Sequence, residues 1–226
     1  MKALVLASGG IDSTTCLAMA VDRYGAQNVT ALSVSYGQKH SRELMSAKAV
    51  AKHYGVELLT IDLAQMFAYS DCSLLMSSDK DIPEESYAKQ QEAAPGPVST
   101  YVPFRNGLFL SAAASIALSL GCETVWYGAH ADDAAGNAYP DCSESFVDAM
   151  GRAINEGTGG ALSLVVPFVT SNKAEVVRTG LKLSAPYHLT WSCYNGGDRP
   201  CGKCATCIDR AKAFAQNGVS DPAMTY

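Results

Sequence analysis

The stretch ALVLASGGIDSTTCLAMA, Ala3 to Ala20, runs an apolar segment into two glycines, an aspartate and a line of hydroxyl residues. An apolar strand that enters a glycine pair can turn tightly enough for consecutive backbone amides to face one anion, and the helix that follows aims its positive end at the same point. Ser8, Ser13 and Thr14 add hydroxyl donors, and Asp12 can cap the helix or hold a magnesium ion. The turn therefore reads as an anion cradle. No Lys followed by Ser or Thr comes after the last glycine, so the P-loop pattern is excluded, and the dinucleotide fingerprint is absent as well. Taken alone, Ser8-Gly9-Gly10 is an ordinary turn, and the specificity lies in the longer string.

Outward from this turn, strand-like and helix-like runs alternate, the pattern of a parallel sheet wrapped by helices. Strands are expected at ALVLA (3–7), NVTALSVSY (28–36), VELLTID (56–62), ETVWYGA (123–129) and LSLVVPF (162–168). Helical spacing of apolar residues marks Asp12 to Tyr24 and Arg42 to Tyr54, and an Ala- and Ser-rich run from Arg105 to Leu120 should pack closely on the sheet. The expectation is an α/β, Rossmann-like fold with a five-stranded parallel sheet, helices on both faces and a small zinc-binding C-terminal segment. Residues 1–190 would form the nucleotide-binding body and 191–226 the segment packed on it. Ser70 to Thr100 shows little periodicity and several turn formers over about 30 residues, and reads either as a mobile flap over the site or as surface disorder.

A length of 226 residues suits one domain with an appendage. The balance of 17 basic against 22 acidic residues contains no dense basic patch, which argues against nucleic acid as a partner. The most apolar windows fall short of a membrane span, and the N-terminus enters a strand rather than a signal peptide, so a soluble cytoplasmic protein is expected. In a reducing compartment its eight cysteines favour thiols and metal ligands over disulfides. Cys193, Cys201, Cys204 and Cys207 fall in the string CYNGGDRPCGKCATC, where two-residue gaps place thiolates on one side of a tight turn at Gly202. A closed four-sulfur structural zinc site is expected. An iron–sulfur cluster is the competing reading, although the ferredoxin spacing puts its fourth cysteine after the other three.

The string SGGIDST resembles the signature of the ATP-pyrophosphatase, or PP-loop, family. That resemblance implies a loop that holds the pyrophosphate of ATP while an acceptor oxygen attacks the alpha phosphate. Further strings, YGQKH (36–40), VPFRN (102–106), YPDC (139–142) and CYNG (193–196), occur in the same order as in the 7-cyano-7-deazaguanine synthases of queuosine precursor biosynthesis. The resemblance to that family runs from about residue 3 to about residue 210. It implies conversion of 7-carboxy-7-deazaguanine and ammonia to the nitrile through two adenylations, with release of AMP and pyrophosphate. It also implies ATP with magnesium as cosubstrate, structural zinc on the four cysteines, small-molecule partners and a homodimer.

Carried onto this chain, the nucleotide segment would be Ala7, Ser8, Gly9, Gly10, Ile11, Asp12, Ser13, Thr14, Thr15, Cys16 and Leu17, with Asp12, Ser13, Arg105 and Lys173 as the catalytic set. Arg105 could hold the alpha phosphate or the acceptor carboxylate, or be a buried arginine paired with a carboxylate. Lys173 could reach a phosphate oxygen or be a solvated helix-start lysine. His40, after a strand end, could recognise a base or lie on the surface. Asp141 could accept from the guanine-like edge of the substrate or serve as a turn carboxylate. This chain departs from the expected pattern at Ser143, where an arginine is expected, and in the adjacent carboxylates Asp132 and Asp133, which bind magnesium or are simply solvated. Acceptors other than the deazapurine fit less well. A tRNA base would bring an RNA-binding domain and a basic face, and glutamine-dependent amidation would need a glutaminase for which there is no room. Outside the enzymes, the competing reading is a zinc-stapled nucleotide-binding module without catalysis.

Overall fold

The computed structural model describes residues 1–223, so Met224, Thr225 and Tyr226, the end of the segment expected to bind zinc, lie outside the described residues. Five strands, β1 (Ala3–Leu6), β2 (Val29–Ser35), β3 (Glu57–Asp62), β4 (Thr124–Trp126) and β5 (Ser163–Val165), form one sheet in the order β3-β2-β1-β4-β5. All neighbouring pairs are parallel, with Val5 of β1 flanked by Ala31 and Trp126. The helices are α1 (Ile11–Tyr24), α2 (Arg42–Tyr54), α3 (Tyr87–Ala93), α4 (Arg105–Ser119), α5 (Ala131–Ala134), α6 (Glu144–Gly157), α7 (Lys173–Lys182) and α8 (Ala205–Gln216).

Successive side chains of a strand point to opposite faces, and β1 shows what this does to the core. Ala3 and Val5 pack with Cys16, Leu17 and Ala20 of α1, Val50 of α2, Val177 of α7 and Phe214 of α8. Leu4 and Leu6 turn the other way, onto Leu110, Ala113 and Ala117 of α4 and Ile154 of α6. A strand apolar on both faces is buried between two helical layers, as the unbroken run ALVL implies. The small side chains Ala113 and Ala117 let α4 lie close to the sheet, as its composition predicts.

All five strands are shorter than read, β4 and β5 by the most. β4 stops at Trp126 because residues 127–130 leave the sheet for the site, where a Cβ on Gly128 would lie 3.0 Å from the Asp12 carbonyl carbon. β5 stops at Val165, two residues before Pro167, which has no N–H to give a ladder. The Ser70–Thr100 segment is tied to the body. It contains α3, buries Cys72, Leu74, Leu75 and Val98, and is stitched to the body by Lys39 N–H to Leu74 O (2.9 Å) and Met76 N–H to Gly37 O (2.8 Å). Cys72, Leu74 and Leu75 join a local cluster with Tyr36, Phe67 and Val102, and Val98 joins a second with Ala129, Ala138 and Tyr139, roles that leave no period in the sequence.

Among the described residues no helix is long and apolar enough to cross a membrane. The segment after residue 190 returns α8 onto α7 and is fixed by a buried ion pair. Arg210 donates to both Asp221 oxygens (2.6 and 2.8 Å), to Thr190 Oγ1 (2.9 Å) and to the Tyr187 carbonyl (3.2 Å). Asp221→Ala would strand that guanidinium away from water, and a fall in unfolding free energy of about 3–5 kcal/mol is expected in a urea titration. A fall below about 1 kcal/mol would mean that solvent reaches Arg210.

Candidate functional site

The strand order reverses between β1 and β4, and in open α/β sheets ligands bind at the carboxyl ends of the strands beside such a switch. A cleft of about 200 Å³ opens there, walled by the turn after β1, the ends of β2 and β4 and the first turns of α2 and α4. Gly9 lets the turn beside it pack against α2. At φ +84° it occupies the left-handed region, and a Cβ would run into the Glu43 carbonyl oxygen and the Ala47 nitrogen, so the loop and α2 touch only because the side chain is missing. Ser8 Oγ and Ser13 Oγ lie 3.0 Å apart, and the Gly10 N–H donates to Ser8 Oγ (3.3 Å). The loop is tied from above by the Trp191 N–H, which donates to the Gly9 carbonyl (3.0 Å).

Asp12, in the first turn of α1, points into the cleft, and Lys173 Nζ donates to its Oδ2 (3.0 Å). Burial opposes the Asp12 charge, but Lys173 and His130 outweigh it and hold the carboxyl below the usual carboxylate range. Burial likewise opposes the Lys173 ammonium, and Asp12 outweighs it, so both partners stay charged. Lys173 stands behind Asp12 and does not itself line the cleft. Asp12 Oδ1 is buried without a hydrogen-bond partner, and His130 Nε2, 3.7 Å from it, is 3.3 Å from Asp133 Oδ2. A vacant carboxylate oxygen beside a second carboxylate suits a hard cation.

Arg105 opens α4 on the opposite wall. Its guanidinium stacks over Tyr36 (5.1 Å) and Phe109 (5.9 Å), donates to Tyr36 Oη (3.4 Å), and forms no ion pair among the described residues. A cation at the positive end of a helix is disfavoured unless an anion joins it.

The two residues expected to bind substrate behave differently. Asp141 is 2% exposed, and both its oxygens accept from Asn106, one from the backbone N–H (2.9 Å) and one from Nδ2 (3.0 Å). It anchors the start of α4 and so aims Arg105. His40 does not line the cleft. It packs edge-on to Trp191 (6.5 Å between ring centres), and burial lowers its pKa. Thr15 Oγ1 shares a hydrogen bond with Tyr187 Oη (2.8 Å), and Cys16 and Leu17 belong to the core, so the far end of the nucleotide segment builds α1 rather than the wall.

The paired aspartates divide their work. Asp132 Oδ2 accepts from the Lys173 N–H (2.8 Å) and so closes the start of α7, while Asp133 faces His130. Ser143 caps α6 by accepting from the Phe146 N–H (3.2 Å). Sequence reasoning missed His130, Glu43 and a triangle of hydroxyls, although His130 follows β4 at the switch point where a ligand-facing side chain is expected. In the triangle Tyr194 Oη lies 2.5 Å from Tyr87 Oη and 2.8 Å from Tyr139 Oη, joining three segments remote in sequence beside the cleft.

The sulfurs of Cys193, Cys201, Cys204 and Cys207 lie within 4.8 Å of one another. A tetrahedral ion with metal–sulfur bonds of about 2.3 Å needs sulfurs roughly 3.8 Å apart, and this set is near that size. The Lys203 and Cys204 N–H groups point at Cys201 Sγ (3.4 and 3.3 Å), and Gly202 between the cysteines takes φ +73°. Amides aimed at sulfur favour the thiolate, so the cluster could bind a metal ion. The other four cysteines, Cys16, Cys72, Cys122 and Cys142, are buried singly.

Comparison with known proteins agrees with this geometry. Residues 2–218 match the model of the family described as queuosine biosynthesis protein QueC. A protein of Archaeoglobus fulgidus named 7-cyano-7-deazaguanine synthase is 42% identical over 226 residues, covering 100% of this chain and 90% of its own. The synthase of the same name from Thermoplasma acidophilum is 40% identical over 98% of this chain and 90% of its own. Among solved structures, the NMN synthetase of Francisella tularensis aligns with a TM-score of 0.52 at 16% identity, over 98% of this chain and 80% of that one. The U34-tRNA thiolase NcsA of Methanococcus maripaludis, solved with its [4Fe-4S] cluster, gives 0.53 at 16% identity, over 96% and 66%. At that identity the two structures share the fold with this chain.

Proposed function

Because this chain belongs to the family of queuosine biosynthesis protein QueC, we propose that its cleft converts 7-carboxy-7-deazaguanine and ammonia to 7-cyano-7-deazaguanine at the expense of ATP. The observation that carries the reading is the meeting, across one cleft, of a hydroxyl-lined glycine turn and an arginine without a carboxylate partner. A carboxylate is a poor electrophile, and adenylation gives it a leaving group.

In this reading Ser8, Ser13 and the N-terminus of α1 hold the pyrophosphate, and Arg105 clamps the alpha phosphate or the acceptor carboxylate in bidentate fashion. Asp12 and Asp133 would hold the magnesium that accompanies ATP. Ammonia displaces AMP to give the amide, and a second adenylation, on the amide oxygen, prepares loss of that oxygen and formation of the nitrile. Cys193, Cys201, Cys204 and Cys207 would hold zinc, which supplies a cross-link because four thiolates leave no open position. Residues 1–190 are then the catalytic body and 191–226 the zinc segment, and we place the protein in the cytoplasm as a homodimer acting on small molecules.

The test is release of AMP and pyrophosphate from the purified protein with ATP, magnesium and ammonium, with and without 7-carboxy-7-deazaguanine. Release that requires the deazapurine, with a nitrile product by mass, is expected. Binding of ATP without release would favour a non-catalytic module, and release driven by tRNA would move the acceptor to a nucleic-acid base.

A further inference from the structure

Three carboxylates line the cleft: Asp12, Asp133 and Glu43. Asp12 is taken by Lys173 and Asp133 by His130. The Glu43 carboxylate, in the first turn of α2, has neither a hydrogen bond nor an ion pair among the described residues. Its charge is felt by Tyr36, from the end of β2, and by Arg105, across the cleft in α4. The other ionisable groups on the walls are Asp12 in α1, Asp133 in α5, Cys142 before α6 and Tyr127 and Tyr194. Burial keeps the Cys142 thiol and both phenols protonated at neutral pH, so none of them competes as a base.

A partly buried carboxylate left without a partner on the wall of a reaction cleft is costly unless a ligand completes it. The proposed reaction supplies one, since nitrogen arrives as ammonium and leaves as a nitrile without hydrogen. We infer that Glu43 is the proton acceptor for the substrate nitrogen, an assignment that rests on the reaction proposed above. In the first half, Glu43 takes one proton from ammonium. The neutral ammonia then forms the C–N bond at the adenylated carbon as the C–O bond to AMP breaks with its electron pair, and a second proton passes to solvent. In the second half, adenylation of the amide oxygen releases pyrophosphate and passes a third proton from the nitrogen to solvent, and the resulting R–C(=NH)–O–AMP gives its last N–H proton to Glu43. The N–H electron pair becomes the third C–N bond while AMP leaves. Burial raises the Glu43 carboxyl to about 7, with Arg105 pulling the other way. A base with that affinity takes a proton readily at neutral pH and returns it to solvent between steps.

The experiment compares the unsubstituted protein with Glu43→Gln and Glu43→Asp in two assays. One is nitrile formation as a function of pH at fixed total ammonium. The other is exchange of labelled pyrophosphate into ATP, dependent on 7-carboxy-7-deazaguanine and run without ammonium. The unsubstituted protein should lose kcat as pH falls through about 7, because the acceptor must be ionised. Glu43→Gln should lower nitrile formation by roughly a hundredfold or more, replace the break near pH 7 with a rate that keeps rising with free ammonia at higher pH, and keep the exchange reaction within about twofold. Glu43→Asp should restore part of the rate together with that break. An unchanged pH profile in Glu43→Gln would overturn the assignment, as would an equal loss of exchange, which would make Glu43 a nucleotide-positioning residue. If the unsubstituted protein forms no nitrile at all, the proposed reaction fails, and this role fails with it.

Discussion

Arg105→Met is expected to lower kcat/KM for the deazapurine by about a thousandfold, roughly 4 kcal/mol of transition-state stabilisation, with little change in melting temperature. The guanidinium lies against the Tyr36 and Phe109 rings and donates to Tyr36 Oη, so its fork is oriented before any ligand arrives and little rotamer freedom is lost on binding. It opens α4 and forms no ion pair among the described residues, so its donors remain available to an anion in the cleft. The charge that develops on a phosphoryl group or tetrahedral carbon is where such a cation gains most. Lysine should recover little, because an ammonium cannot make the bidentate contact and does not stack as a plane. The anchor beneath it is separate. Asn106 and Asp141 hold the start of α4, so a loss of activity in Arg105→Met with intact stability isolates the guanidinium itself. A loss smaller than tenfold would assign Arg105 to packing against Tyr36.

The second large effect is expected from the cysteines. Cys204→Ser, or removal of metal by a chelator, should lower the melting temperature by about 10 °C or more. A structural four-thiolate site contributes its binding free energy to folding, and for a chain of this length each kcal/mol moves the midpoint by about 2–4 °C. The loss should reach the nucleotide site, because Trp191, two residues before Cys193, donates its N–H to the Gly9 carbonyl. ATP affinity should therefore fall along with stability, and metal analysis of the purified protein should find one zinc per chain. Two or more irons per chain would identify a cluster instead, and an unchanged melting temperature would show that the Arg210–Asp221 pair alone holds the segment.

Much of this architecture can be read from the chain because its signals are local. Ala3 to Leu6 is apolar at every position, which specifies a strand buried on both faces, and the glycine turn and the cysteine spacing are each confined to a few residues. What is not legible depends on partners far away in sequence. Asp141 and Glu43 are both acidic residues beside quoted motifs, yet only the fold shows that Asn106 saturates one and leaves the other open to the cleft. Arg105 admitted two readings, and its contact with Tyr36, with no ion pair among the described residues, is visible only once α4 is placed. Ser70 to Thr100 lacked a period because its apolar residues face a pocket of irregular loops, and such a pocket imposes no repeat on the sequence that fills it.

The hydrogen bonds that close the glycine turn have a consequence for the order in which the chain assembles. Thr15 and Tyr187 share a hydroxyl contact across 172 positions, and the Gly9–Trp191 bond spans a similar distance. Contacts of such separation form late, since the intervening loop must be closed before they stabilise anything. During synthesis the glycine turn emerges first, yet it acquires its finished shape only when the cysteine segment has left the ribosome and folded back. A nascent chain stalled before that point would carry the motif without the cradle.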